Sequence, residues 1–92
     1  MKSIVTRKEI KKTIETILLD HKFIAPGTEV HERHSYENDY GMDSLDRIEA
    51  LMDIEKEYCL FIPDDVAERM DTVARTIDYL HQQLNIYGNK QS

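Results

Sequence analysis

One predicted helix, spanning about residues 44–58, carries two apolar stripes instead of one. At about 100° per residue, Leu45, Ile48 and Met52 fall within about 60° of one another. A second stripe lies on roughly the opposite side and comprises Ala50, Leu51, Ile54 and Tyr58. A chain of 92 residues builds a small core, which can cover only one side of such a helix. We therefore expect the other stripe to contact a second molecule; a helix buried on both sides is the alternative.

Acidic side chains border the first stripe and indicate the charge of its partner. Asp46, Glu49 and Asp53 lie on one side of it, and Glu55 lies on the other. The formal net charge is -6, and residues 23–92 hold fifteen acidic residues against six basic ones. Such a balance argues against nucleic acid and against anionic membrane surfaces. It predicts partner proteins with basic surfaces.

The start of this helix places a serine hydroxyl where the electrostatic potential of the helix N-terminus is positive. Gly41 gives the backbone freedom just before it, Asp43 is a good N-cap, and Asp46 follows three residues later. Ser44 then falls in the first turn, where unpaired backbone N–H groups favour negative charge. A phosphate ester on this hydroxyl would be stabilised there. Taken alone, the pattern favours an ordinary capped helix, because serine is common at helix starts.

Local signals predict three further helices and no strand. Thr6 and Glu9 form a capping box for the first helix, and Val5 can pack on Ile10 as a hydrophobic staple. The apolar face of that helix comprises Ile10, Ile14, Ile17 and Leu18. Residues 21–42 show no sustained period, which predicts a long loop between the first two helices.

The third and fourth helices follow a short apolar connection. Pro63 is tolerated where a brief helix begins, and that helix is expected to run through about Met70. Asp71 and Thr72 cap the last helix. Its apolar seam comprises Val73, Ile77, Leu80 and Leu84. We predict an all-α fold of three long helices and one short one, in a single domain of residues 1–92 with a core of about 5–84 and a frayed tail, 85–92.

Few residues offer chemistry of their own. His31 and His34 lie among glutamates and could bind zinc weakly, but no cysteine ligand or second histidine pair has a zinc-site spacing, so we expect a solvated loop and no metal. No catalytic triad or dyad is found, so we expect no enzyme. Cys59 is the only cysteine, which excludes an internal disulfide and fits a reducing cytoplasm. No apolar run approaches membrane length, so we expect no membrane insertion.

Three segments together resemble acyl carrier proteins. The run 41–46, followed by Ile48, Glu49 and Met52, is similar to that family's modification site and second helix. The segments 62–65 and 72–80 resemble its third and fourth helices, so the likeness extends from about Thr6 to Leu84. It implies an acyl-carrier-like four-helix bundle with a long ordered loop after the first helix. It also implies that a transferase attaches 4'-phosphopantetheine to Ser44, and that acyl groups are bound as thioesters to the thiol of this arm.

The resemblance further implies how the protein meets its partners. The transferase, and acyl synthases and transferases with basic docking patches, are expected to contact a monomeric carrier along its second helix. The residues assigned to this surface are Leu45, Asp46, Ile48, Glu49, Met52, Asp53 and Glu55. In this family the acyl chain can fold back between the helices. Candidate lining residues are Ile54, Ile62, Val66, Val73 and Ile77.

Several positions depart from the housekeeping pattern of that family: Tyr40, Asp53, Lys56 and Cys59. These departures do not affect the expected attachment at Ser44, but they leave more than one biosynthetic pathway compatible with the sequence. Fatty-acid or related lipid biosynthesis is the simplest expectation, and polyketide, aryl-polyene or aminoacyl assembly is the alternative. A cofactor-free helical interaction module is a further hypothesis, because a helix with two stripes needs no serine chemistry.

Overall fold

The computed structural model describes residues 4–90, with side chains for residues 4–85. It contains five helices: α1 (Arg7–Asp20), α2 (Tyr36–Tyr40), α3 (Ser44–Tyr58), α4 (Asp64–Ala67) and α5 (Val73–Lys90). Among these residues there is no strand, only an isolated bridge between Ser35 and Thr72. The predicted all-α fold is therefore confirmed. No described helix combines the length and apolar character needed to cross a membrane.

Helix α1 begins as the sequence predicts. The Thr6 hydroxyl accepts from the Glu9 N–H at 3.1 Å, and the Glu9 carboxylate accepts from the Thr6 N–H at 2.9 Å. This reciprocal pair satisfies two donors that a helix start otherwise leaves open. The predicted apolar face is buried and packs against α3 and α5. The buried residues of α1 are Ile10, Ile14, Ile17 and Leu18.

The loop after α1 contains a short helix, α2, in addition to the four helices that the sequence predicts. Ser35 caps α2 by accepting from the Asn38 N–H at 3.1 Å, and Gly41 ends it in the left-handed region at φ 68°. Five residues are too few to show a helical period. The buried Tyr36 side chain, whose hydroxyl lies 2.8 Å from the Thr76 Oγ1 atom, joins α2 to the core.

The loop that carries α2 is joined to the start of α5 through its backbone. The Val73 N–H donates to the carbonyl of His34 at 3.1 Å, and the Ala74 N–H donates to that of Glu32 at 2.7 Å. Arg7 adds ion pairs of 2.6 Å to both Glu32 and Asp78. These contacts hold the long connection against α1 and α5, so a loop without a hydrophobic period still has a defined position.

Helix α4 is shorter than predicted, and α5 is longer. Helix α4 ends at Ala67, and tighter turn bonds continue the chain to Met70, whose side chain is buried. Helix α5 is capped by the Thr72 hydroxyl, which accepts from the Arg75 N–H at 3.2 Å, and it continues to Lys90. It therefore passes the predicted core boundary at 84. Residues 91–92 lie outside the described residues, and fraying of the tail stays a prediction.

Candidate functional site

The first turn of α3 is held by a capping box at its entrance. The Asp43 carboxylate accepts from the Asp46 N–H at 2.8 Å, and the Asp46 carboxylate accepts from the Asp43 N–H at 3.3 Å. The predicted cap at Asp43 is confirmed, and Asp46 proves to be its partner. The box fixes the direction in which the helix leaves the preceding turn.

The turn before α3 is anchored on its inner side. Gly41 adopts φ 68°, and an added Cβ atom would meet nothing within 4 Å, so the backbone conformation and not a lack of space favours glycine there. The next residue, Met42, is buried, and its N–H donates to the Tyr36 carbonyl at 3.0 Å. The buried Met42 side chain thus fixes the turn two residues before Ser44, and Ser44 itself lies at the surface.

Ser44 is exposed and is the first residue of α3. Its hydroxyl has no hydrogen-bond partner among the residues that the structure describes. Backbone N–H groups in a first turn lack intrahelical acceptors and carry partial positive charge. The site therefore offers an accessible oxygen beside a field that stabilises an attached anion.

The two stripes of α3 have opposite environments. Leu45, Ile48 and Met52 are 62%, 48% and 51% exposed, and we call these three residues the exposed strip. The other stripe contributes Ala50, Leu51 and Ile54, each no more than 5% exposed. Only one stripe faces the core, as the sequence predicts, and the exposed strip begins directly beside Ser44.

The acidic border of the exposed strip is only partly available to other molecules. The Asp53 carboxylate lies 2.5 Å from His21 Nε2, and the Glu55 carboxylate accepts from the Ile62 N–H at 2.7 Å. Glu49 is exposed and makes no ion pair or hydrogen bond within the described part of the chain. Binding of partners by these residues stays a prediction, and Glu49 is the acid that the fold leaves most accessible to them.

A cleft of about 330 Å³ lies between α3 and α4, next to the exposed strip. Its apolar lining comprises Ile48, Leu51, Met52, Ile62 and Ala67. Of the five candidate lining residues from the sequence, Ile62 alone lines this cleft. The others are buried in the core or, for Val66, line a separate groove beside α5.

Sequence reasoning passed over Arg47, which also lines the cleft. Its Nε atom is buried and has no hydrogen-bond partner within the described residues. Burial raises the pKa of Tyr36, and the positive charge of Arg47 acts in the opposite direction. Its position three residues after Ser44, on the same side of a helix, was the available signal.

The histidine pair belongs to a local cluster in the loop. The His34 Nδ1 atom lies 2.8 Å from the Tyr40 hydroxyl, and His31 Nε2 lies 3.3 Å from the Glu29 carboxylate. Burial raises the pKa of the Tyr40 hydroxyl. No group of three or more histidine, cysteine or acidic side chains within the described residues is arranged to hold a metal ion. Tyr40, one of the unusual residues, thus has a structural contact.

Comparison with known proteins identifies the family. The family model described as phosphopantetheine attachment site matches residues 9–80. An acyl carrier protein of Porphyromonas gingivalis is 40% identical over 76 residues, which cover 83% of this chain and 96% of that relative. The chain belongs to the acyl carrier protein family. It is a carrier of acyl groups rather than a catalyst, and its cofactor is phosphopantetheine.

More distant comparisons agree with this assignment. An acyl carrier protein of Amoebophilus asiaticus is 36% identical over 76 residues, or 83% of this chain and 94% of the relative. The crystal structure of a mitochondrial acyl carrier protein of Toxoplasma superposes with a TM-score of 0.62 at 25% identity. That likeness covers 85% of this chain and 93% of the other. The helical bundle is therefore the fold of this family.

The geometry at the start of α3 is suited to hold a phosphopantetheine group. The group is joined through a phosphate, and a helix N-terminus stabilises phosphate through its N–H groups and dipole. Ser44 provides an exposed oxygen at that position, and the capping box uses the Asp43 and Asp46 side chains without covering it.

Proposed function

We propose that a phosphopantetheinyl transferase attaches the 4'-phosphopantetheine arm of coenzyme A to the Ser44 hydroxyl. The Ser44 oxygen replaces the phosphoanhydride oxygen at phosphorus, 3',5'-adenosine bisphosphate leaves, and the transferase removes the hydroxyl proton. The observation that carries this proposal is the exposed Ser44 hydroxyl at the capped N-terminus of α3. Ser44 needs no base of its own, because the transferase supplies the chemistry.

Partner enzymes dock on the exposed strip in this proposal. Apolar side chains that remain 48–62% exposed beside the attachment point provide a small footprint. Glu49 supplies negative charge next to it, which steers enzymes with basic docking patches toward the arm. A small, charged surface suits fast and reversible contacts with the transferase and then with acyl synthases and transferases in turn.

We assign the carrier to fatty-acid or related lipid assembly in the cytoplasm. The support is the breadth of the likeness to acyl carrier proteins of bacteria, which covers 83% of the chain. An exposed Cys59 thiol, the single cysteine of the sequence, suits a reducing compartment.

Intact-mass measurement tests the attachment point. After incubation with coenzyme A and a broad-range phosphopantetheinyl transferase, the wild-type protein should gain the mass of one phosphopantetheinyl group. Ser44→Ala should gain nothing while keeping the helical circular-dichroism spectrum. Its fold should survive because a replacement in an exposed first turn changes stability by no more than about 1 kcal/mol.

Ser35→Ala is the matched control. Ser35 also lies at a helix start, where its hydroxyl caps α2. This variant should gain the same mass as the wild type. No mass gain on the wild type, or an equal gain on Ser44→Ala, would refute the proposal.

A further inference from the structure

An aromatic side chain is exposed at the end of α3 that lies away from Ser44. Phe61, in the connection between α3 and α4, is 74% exposed, more than any other large apolar side chain of the described residues. It belongs to the longest apolar run of the sequence, residues 58–62. Single exposed apolar residues are common on soluble proteins, so the surroundings of Phe61 decide whether its exposure has a role.

A groove of about 630 Å³ adjoins Phe61. It is formed by the end of α3, the connection that follows it and the later part of α5. Four apolar or aromatic residues of its lining are half-buried and pack on the core, so the groove is already formed in the single chain: Tyr58, Leu60, Tyr79 and Leu84. Phe61 itself projects from the edge of the groove into solvent.

No charged side chain is found among the described residues that line this groove, although charged residues make up 33% of the chain. The cleft beside the exposed strip differs in this respect, because its lining includes Arg47, Glu55, Asp64 and Glu68. A surface without charge cannot select a partner by electrostatic steering. Covering it with an apolar group, however, removes no charge from water and so avoids a large desolvation cost.

The protruding ring and the open groove lie side by side on one surface. Such a surface is self-complementary, because a two-fold axis places the ring of each copy against the groove of the other. We propose that two copies of this chain associate here, with Phe61 of each copy seated in the groove of the other. A net charge of -6 opposes close approach of two copies through acidic surfaces, whereas the groove contributes no charge to that repulsion.

This association is compatible with a carrier that meets partners at Ser44. Ser44 and Tyr58 are the first and last residues of α3, and at about 1.5 Å per residue they lie about 21 Å apart along the helix. The exposed strip and Ser44 of both copies thus stay accessible in the pair. One aromatic anchor per chain makes a small interface, so the pair is weak and reversible, and the monomer prevails at low concentration.

Sedimentation equilibrium of the apo protein tests the association without depending on attachment at Ser44. The mean mass should rise from that of one chain at about 10 µM toward that of two chains at about 1 mM, as expected for a small interface. Phe61→Ala should raise the dissociation constant about tenfold or more, because it truncates the central anchor. Its helical circular-dichroism spectrum should be unchanged, since the side chain is 74% exposed in the single chain.

Ile48→Ala is the matched control, because it truncates an exposed apolar side chain on the exposed strip. Its dissociation constant for the pair should equal that of the wild type. A larger loss in Ile48→Ala than in Phe61→Ala would show that the copies meet through the strip and would overturn the inference. The mass of one chain at every concentration would overturn it as well, and the groove would then belong to a different protein.

Isotope-filtered NMR on a mixture of labelled and unlabelled wild-type protein locates the contact directly. Nuclear Overhauser effects should join the Phe61 ring of one copy to the Leu84 methyl groups of the other. Effects between copies that involve only other residues contradict the proposed arrangement. Added sodium chloride should strengthen the pair, because it screens the repulsion between two acidic chains; a pair that weakens with salt depends on ion pairs and refutes it.

Discussion

The two faces of α3 are built from the same kind of side chain and have opposite roles. Ile54 on the inner face is 2% exposed, whereas Ile48 on the exposed strip is 48% exposed. Both follow the same capping box and share one backbone. Their environments differ because α1 packs against one side of α3, while the other side opens onto the cleft beside the four-residue helix α4.

This contrast shows that a residue's contribution depends on what covers it. Burial of an isoleucine removes apolar area from water and fills space that no other group occupies. An exposed isoleucine contributes little to folding and stays available to a partner. We therefore expect the inner face to determine stability and the exposed strip to determine recognition, and three substitutions test that division.

The largest effect should come from truncating the inner face. Ile54→Ala should lower the free energy of unfolding by about 2–5 kcal/mol, because it removes buried methyl groups and leaves a cavity. Ile48→Ala on the same helix should change it by no more than about 0.5 kcal/mol. Urea denaturation followed by circular dichroism measures both. Similar losses for the two variants would show that the two faces are not distinct.

Truncation of the exposed strip should weaken recognition by the transferase while it leaves stability nearly unchanged. Ile48→Ala should lower kcat/KM of the phosphopantetheinyl transferase about tenfold, as expected when a contact residue at the centre of a footprint is truncated. Ile4→Ala is the matched control, because Ile4 is a 70% exposed isoleucine outside α3. Steady-state kinetics with the carrier as varied substrate give both values. A comparable loss of kcat/KM in Ile4→Ala would show that the exposed strip has no special role in recognition.

The smallest of the three effects should come from the cap that both faces share. Asp43→Ala should destabilise the protein by about 1 kcal/mol, because the Asp46 N–H loses its acceptor. Asp43→Asn should retain most of that stability, since asparagine caps about as well as aspartate. Thermal unfolding of the apo protein compares them. If both variants lose stability equally, the negative charge of Asp43 stabilises the protein and its capping hydrogen bond does not.

Local signals were sufficient for the long helices and their starts. The capping box at Thr6 and the N-cap at Asp43 are confirmed, because the residues that they bind lie within one turn of the chain. The exposure of one stripe of α3 also followed from the sequence, since the size of the chain limits how much surface can be covered. Helix α2 was missed because five residues show no period and because Tyr36 is anchored by Thr76, forty positions away.

The sequence by itself determined the three long helices, the caps at their starts, the division of α3 into two stripes and the position of Ser44 at a helix start. Only the tertiary structure decided the contacts of its neighbours: Asp53 meets His21 across 32 positions, and Glu55 binds the backbone at Ile62. It also decided that Arg47 lines the cleft and that its buried Nε atom has no hydrogen-bond partner within the described residues. Periodicity and capping depend on residues within one or two turns, whereas burial and pairing depend on which distant segments meet in space.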